Sequence, residues 1–169
     1  GWEPFRRRRR ARLLRVDGRT TADLRPYLEE GDVLIEVGAH TAKELPRLME
    51  RVAAAVWDVG ERMFILDEAH RFFPRARYAL GLERLCTGGR HRAIDLVFIT
   101  QHVTLMNITA LKTANRLAVF RAVERNDVER MADWASLPVE SIKTLPNYHF
   151  FHVDLKTGRA RRERVWPLP

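Results

Sequence analysis

Cysteine, lysine and long apolar runs are all scarce in this sequence, and each shortage excludes something. Cys86 is the only cysteine among 169 residues, so no intrachain disulfide can form and a reducing compartment is expected. No apolar run approaches the roughly 20 residues that a membrane-spanning helix needs. The arginine-rich start has no apolar stretch behind it and does not read as a secretory signal. A cytoplasmic protein without a membrane segment is the expectation. Internal repeats and low-complexity linkers are missing as well. The apolar fraction of 46% is too high for general disorder, and the length fits one domain over residues 1–169 with a real core.

Lysine supplies only Lys43, Lys112, Lys143 and Lys156 of the 30 basic residues, which face 22 acids for a net charge of +8. Arginine forks pair bidentately with phosphates and stack on bases, so a polyanion, DNA above all, is the expected partner. A GC-rich genome, which favours Arg over Lys codons, is the alternative source of the bias. The arginines cluster. Arg6–Arg10, Arg12 and Arg15 mark an arginine-rich segment over 1–16, and Arg159, Arg161, Arg162 and Arg164 form a second group. Such runs read either as phosphate-contacting patches or as solvated arms.

Short apolar runs alternate with amphipathic helical patterns, as in an α/β fold whose sheet is mainly parallel. Ala11–Val16 reads as a strand ended by Asp17-Gly18, and Asp32–Val37 as a clearer strand between Gly31 and Gly38. Thr41 and Glu44 have capping-box spacing ahead of a helix over about Ala42–Asp58. Met63–Leu66 is wholly apolar, as in a central strand covered on both faces. A helix over Tyr78–Cys86 is expected to break at Gly88-Gly89, before a second buried strand over Asp95–Thr100. A helix near Ile108–Ala114, a strand at Leu117–Phe120 and a helix over Asn126–Trp134 capped by Asn126 follow. Residues 148–166 read as a β-hairpin turning at Lys156-Thr157-Gly158-Arg159. Trp57, Phe72, Phe73 and Trp134 are assigned to the core.

The chemistry gathers where the apolar run Met63–Leu66 ends in Asp67-Glu68. Open α/β sheets bind ligands at the carboxyl ends of their strands. In nucleotide hydrolases the first acid of such a pair serves Mg²⁺ and the second orients the attacking water. The bland alternative is an acidic helix start after a core strand, which the helix dipole favours anyway. Gln101 follows the next strand, where an amide can sense the γ-phosphate. Arg90 and Arg92, in Gly88-Gly89-Arg90-His91-Arg92, and Arg121 are candidates to bring positive charge to a phosphate, in cis or from a neighbouring subunit. His149 and His152 fall on opposite faces of an expected strand, and Cys86 with His91 lacks further zinc ligands.

Four blocks in this order, Met63–Pro74, Gly88–Gln101, Ala114–Ala135 and Leu145–Arg159, resemble the HerA–FtsK branch of P-loop ATPases. That branch contains DNA pumps, conjugation ATPases and viral genome-packaging motors. The resemblance spans roughly residues 30 to 166 and implies a RecA-like core binding ATP and Mg²⁺. It gives Asp67 the Mg²⁺-linked role, Glu68 the catalytic role and Gln101 the sensor role. It places Arg90 or Arg92, and Arg121, where family members carry phosphate-contacting arginines, and it implies a homo-oligomeric ring, usually a hexamer, that threads DNA.

One part of that pattern is missing. No Gly-x-x-x-x-Gly-Lys-Ser/Thr loop, which carries the phosphate-binding Lys, occurs anywhere in the sequence. The expectation is therefore a C-terminal portion of a longer ATPase, without the first, Walker A strand. The alternative is a non-catalytic module that descends from such an ATPase and holds nucleic acid or a partner. Asp67-Glu68-Ala69-His70 also spells the DEAH box of a helicase class, but Thr100-Gln101 stands where those proteins carry a Ser-Ala-Thr motif.

Overall fold

The computed structural model describes residues 12–38, 43–76 and 78–165. The run Arg6–Arg10, the expected cap at Thr41 and Trp166 lie outside them. The chain divides into two compact units, Gly1–Thr100 and Gln101–Pro169.

The first unit runs β1 (Arg12–Asp17), α1 (Arg25–Glu29), β2 (Val33–Gly38), α2 (Glu44–Val59), β3 (Met63–Leu66), α3 (Ala69–Phe72), α4 (Leu80–Gly88) and β4 (Asp95–Phe98). β1 and β2 pair in parallel, with Arg12 opposite Val33 and Asp17 opposite Gly38. Asp17 Oδ1 closes the following turn by accepting from the Arg19 and Thr20 amides and the Thr20 hydroxyl. Those bonds, led by the one from the Arg19 amide, hold the carboxyl below its ordinary range. α2 is amphipathic as its spacing requires, burying Leu48, Met49, Val52 and Val56. It stops at Gly60, which takes φ 65.

α4 begins and ends two residues later than its sequence suggests, because Ala79 is extended and Gly88 stays helical. The glycines of α4 allow a close approach to α2. A Cβ on Gly81 would lie 2.8 Å from the Ala53 methyl, and one on Gly88 3.0 Å from the Trp57 ring. Gly88 is therefore a packing residue and not a break. The Arg84 guanidinium stacks on the same indole, 3.8 Å from its ring centre, leaving Trp57 half-buried between helices.

β3 and β4 pair in parallel, Met63 opposite Asp95 and Leu66 opposite Phe98. Their apolar run is not covered on both faces. Leu66 is buried, whereas Met63 is 64% exposed and Ile65 and Val97 are about 40% exposed. A run that is apolar at every position cannot reveal which of its faces is packed. Under the covered face Phe73 is fully buried, edge-on to Tyr78 at 5.0 Å between centroids.

The second unit contains α5 (Ile108–Thr113), β5 (Arg116–Phe120), α6 (Arg125–Ala135), α7 (Val139–Lys143), β6 (His149–Asp154) and β7 (Arg159–Arg164). Its three strands form an antiparallel sheet in the order β5-β6-β7. Val119 and Val153 pack there with Val128, Ala132 and Ile142 of α6 and α7. The hairpin turn uses Gly158 at φ 69, while Asp154 Oδ1 accepts from the Lys156 and Thr157 amides. Asn107 caps α5 through the Thr109 amide, 2.8 Å away. The cap of α6 is Glu124, not Asn126, with its carboxylate 2.8 Å from the Asp127 amide.

Among the described residues the strands thus form two parallel pairs and one antiparallel sheet rather than one continuous sheet. No described helix is long and apolar enough to cross a membrane. Phe73→Ala should cost about 3–5 kcal/mol of unfolding free energy by chemical denaturation. A loss under about 1 kcal/mol would show that this ring is not a core element of the first unit.

Candidate functional site

The strand β3 delivers two adjacent acids to its carboxyl end, and the structure holds both in defined positions. The ladder with β4 extends one step past the strand limits. Ile99 N donates to Leu66 O and Ala69 N donates to Ile99 O, each at 2.9 Å. β4 itself ends at Phe98, short of the expected Thr100, because the chain from β3 turns away at this point. That turn is made by Glu68, which takes the left-handed conformation with φ 50 and ψ 40. For a residue with a Cβ this costs about 1 kcal/mol. The conformation is held by flanking bonds: Glu68 N donates to Asp67 Oδ1 at 2.9 Å, and Arg71 N to Glu68 O at 2.8 Å. Glu61, Ala93, Ser136 and Tyr148 share a positive φ, so the conformation of Glu68 fixes its direction without by itself marking a functional site.

The Glu68 carboxylate lies 3.5 Å from His70 Nε2, and His70 Nδ1 lies 3.0 Å from the Thr100 hydroxyl. His70 is nearly buried, with 12% of its side chain exposed, so the ring has little freedom to leave. A Glu68–His70–Thr100 chain therefore ties the second acid of β3 to the residue just before Gln101. Sequence reasoning did not foresee this role for His70, although its place two residues after Glu68 was the available signal.

The arginines are placed differently. Arg90 and Arg92 lie in the 3₁₀ turn Gly89–Arg92 that precedes β4, so Gly88-Gly89 does not open a loose loop. Arg92 O accepts from Glu61 N at 2.8 Å, next to the start of β3. The two arginines are thus at the amino end of the parallel pair, and Asp67-Glu68 are at its carboxyl end. Four residues of strand, about 13 Å, separate the ends. Arg92 also donates to Trp57 O at 3.2 Å and Asp58 O at 2.7 Å, satisfying carbonyls at the end of α2. Arg90 is exposed, and Arg121 is exposed directly after β5. Gln101 is the exposed first residue of the second unit.

Inside the second unit, the segment after Gln101 is anchored by a buried carboxylate. Asp127 accepts from Thr104 N at 2.8 Å and Thr104 Oγ1 at 2.7 Å, and its other oxygen is 3.3 Å from His102 Nδ1. Burial pushes the Asp127 pKa up, but the bonds from Thr104 and His102 outweigh it and hold it below the usual value. In the sequence Asp127 is only an acid in the first turn of a helix, because its partners lie 23 and 25 residues upstream.

Among the described residues no group of three or more His, Cys, Asp or Glu side chains is arranged to hold a metal. Mg²⁺ does not need such a cage, since it keeps several waters and binds through one or two carboxylates plus substrate phosphates. The Asp67-Glu68 pair fits that requirement. The sequence offers no glycine-rich loop for the phosphates themselves.

A carboxyl with a depressed folded pKa stabilises the fold fully above its unfolded value of about 3.9 and loses that contribution as pH falls through the folded value. Asp127→Asn should therefore lower stability at pH 7 and flatten the acid limb below about pH 4 in denaturation measured from pH 7 to pH 2. An unchanged acid limb would show that Asp127 is not the titrating brace.

No protein-family profile matches the chain, and no curated protein does. Solved structures do. The genome-packaging NTPase B204 of Sulfolobus turreted icosahedral virus 2, in complex with ATP-gammaS, superposes with a TM-score of 0.70 at 18% identity, covering 96% of this chain and 87% of that one. B204 bound to AMPPCP gives 0.65 at 17% identity over 96% and 87%. The DNA-packaging ATPase B204 of Sulfolobus turreted icosahedral virus gives 0.62 at 20% identity over 95% and 86%. At this identity the likeness speaks to architecture, and the chain has the mixed α/β fold of a P-loop NTPase, with parallel strands flanked by helices and a C-terminal antiparallel hairpin.

Proposed function

We propose that this chain is the hydrolytic part of an ATP-driven motor of the HerA–FtsK type that moves or packages DNA. The observation that carries this reading is the acid pair Asp67-Glu68, fixed at the carboxyl end of β3 within a P-loop NTPase fold. The structural neighbours, which are genome-packaging NTPases, support the DNA-moving part. The basic excess of +8 supports a polyanionic partner.

In this reading Asp67 is the acid that holds Mg²⁺, whose charge would neutralise the phosphates of bound ATP. Glu68 orients and polarises the water that attacks the γ-phosphate, and His70, tied to Thr100, keeps Glu68 aimed. Gln101, next to Thr100 in the chain, is the sensor of the γ-phosphate. Arg90 and Arg121, both exposed, are the arginines left to reach a phosphate, in cis or from a neighbouring subunit of a homo-oligomeric ring, a hexamer, in the cytoplasm, whereas Arg92 is committed to the carbonyls that end α2. Residues outside 1–169 contribute the phosphate loop and its lysine to the same RecA-like domain. The absence of that loop from the sequence is also what favours the second reading, a non-catalytic module holding nucleic acid or a partner.

ATP turnover by the protein that carries these residues together with a phosphate loop separates the two. Glu68→Gln should lower kcat about 100-fold or more while leaving nucleotide affinity unchanged. Turnover that ignores this substitution would overturn the hydrolase reading. His70→Ala and Thr100→Val should each lower kcat without raising KM, and the double variant should be no worse than the poorer single one. Additive losses would show that His70 and Thr100 do not act as one chain.

A further inference from the structure

We infer that the edge strand β7 is the surface that grips the phosphate backbone of DNA, without regard to base sequence. This rests on the proposal that DNA is the partner, and it assigns that partner a site. β7 (Arg159–Arg164) is the outer strand of the antiparallel sheet, and all six of its residues are exposed. Four of the six are arginines: Arg159, Arg161, Arg162 and Arg164. Side chains alternate along a strand, so Arg159 and Arg161 leave one face and Arg162 and Arg164 the other. On each face the two are about 7 Å apart along the strand. The open edge is thereby flanked by guanidinium groups on both sides.

Among the described residues the charge of this strand's arginines is not spent internally. Its one acid, Glu163, lies 3.3 Å from His152 Nδ1 on the neighbouring strand β6. None of the four arginines forms an ion pair with a described residue. Arginines elsewhere are used differently. Arg12 pairs with Glu30, Arg15 with Glu36, Arg25 with Asp23 and Arg125 with Glu129. Arg51 donates to the carbonyls of Thr20 and Ala22, and Arg92 to those at the end of α2. Four guanidiniums within six residues, with no ion pair among the described residues, repel one another unless an anion lies among them.

The chemistry of that anion is a polyphosphate strand. Guanidinium forks match phosphate oxygens, and an extended row of them fits an extended row of phosphates. An anionic membrane is the poorer occupant, since β7 carries no apolar residue larger than Ala160 to bury in a bilayer. Base reading is not expected either, because β7 has no Asn or Gln to address base edges. A rival account is that the arginines only prevent edge-to-edge pairing of sheets, as charges on edge strands do. That role ends at solubility and gives no salt-dependent affinity for DNA.

Binding of this chain to a labelled duplex of arbitrary sequence, measured across a salt series, tests the assignment. Each phosphate contact contributes about −0.9 to the slope of log affinity against log salt. Replacing Arg159, Arg161, Arg162 and Arg164 by Gln should make the slope shallower by up to about 3.6 and weaken binding about 10-fold or more at low salt. Arg125→Gln, which removes an arginine already paired with Glu129, should change neither. Should the fourfold variant fail to fold, Arg159→Gln with Arg161→Gln, and Arg162→Gln with Arg164→Gln, should each remove about half of the slope change. A fourfold variant that keeps the full slope overturns the β7 assignment and leaves DNA binding elsewhere on the molecule. A variant that aggregates while its affinity is intact favours edge protection and overturns it too. Tighter binding to phosphatidylserine vesicles than to the duplex would replace DNA with a membrane. A wild-type chain with no salt-dependent affinity for the duplex ends both this assignment and the DNA reading, while the effect of Glu68→Gln on turnover stands apart.

Discussion

The parallel register of β3 on β4 is the constraint on which the geometry of the first unit's candidate site depends. With Leu66 opposite Phe98, the ladder is closed by Ala69 N reaching Ile99 O. That bond requires the backbone to reverse within Asp67-Glu68, and Glu68 achieves it by taking the left-handed conformation. The reversal presents Glu68 to His70 instead of letting it continue along the strand. One register therefore fixes where both acids emerge, which imidazole meets the second, and which hydroxyl of the β4 end steadies that imidazole. Shifting β3 by one residue would exchange its covered and exposed faces and withdraw Leu66 from the core.

Each unit uses a polar group with little or no exposure to hold its own segment near the Thr100–Gln101 bond. In the first unit His70 bonds Thr100, and in the second Asp127 gathers Thr104 and His102. The His70–Thr100 bond returns about 1 kcal/mol, and the bonds to the Asp127 carboxylate return about 1.5–3 kcal/mol each, part of which offsets its burial. Their consequence is precision. A carboxylate buried under a short turn leaves that turn one favourable position, because any other strands the buried charge without its donors. The chain on either side of the Thr100–Gln101 junction is thus fixed from within its own unit.

The sequence and the structure agree best where local pattern is sufficient. Met63–Leu66 is a strand with the limits its apolar run suggests, and α2 follows the spacing of Leu48, Met49, Val52 and Val56. The hairpin is legible from Gly158, and the position of Asp67-Glu68 at a strand end is legible from the apolar run before them. The disagreements arise where distant residues decide. Gly88 looks like a helix breaker until Trp57 is seen packed against it. Nothing local to Glu68 predicts a positive φ, since that conformation comes from the pairing of Ala69 with Ile99. Asn126 looks like a cap, but Glu124 reaches the Asp127 amide first. Arg92 looks like a free phosphate ligand, yet its fork satisfies the carbonyls that end α2. For Gly88, Glu68 and Arg92 the deciding partner lies 30 or more residues away and leaves no trace in the local pattern.

The account stands on Asp67 and Glu68 forming the metal and water end of a nucleotide site. Paramagnetic broadening tests this most directly, with Mn²⁺ and a non-hydrolysable ATP analogue added to the protein that carries these residues and a phosphate loop. The account predicts that backbone amide signals broaden first at Leu66 to His70 and at Ile99 and Thr100, and that Asp67→Asn abolishes the effect. Broadening centred elsewhere, with the carboxyl end of β3 unaffected, would contradict it.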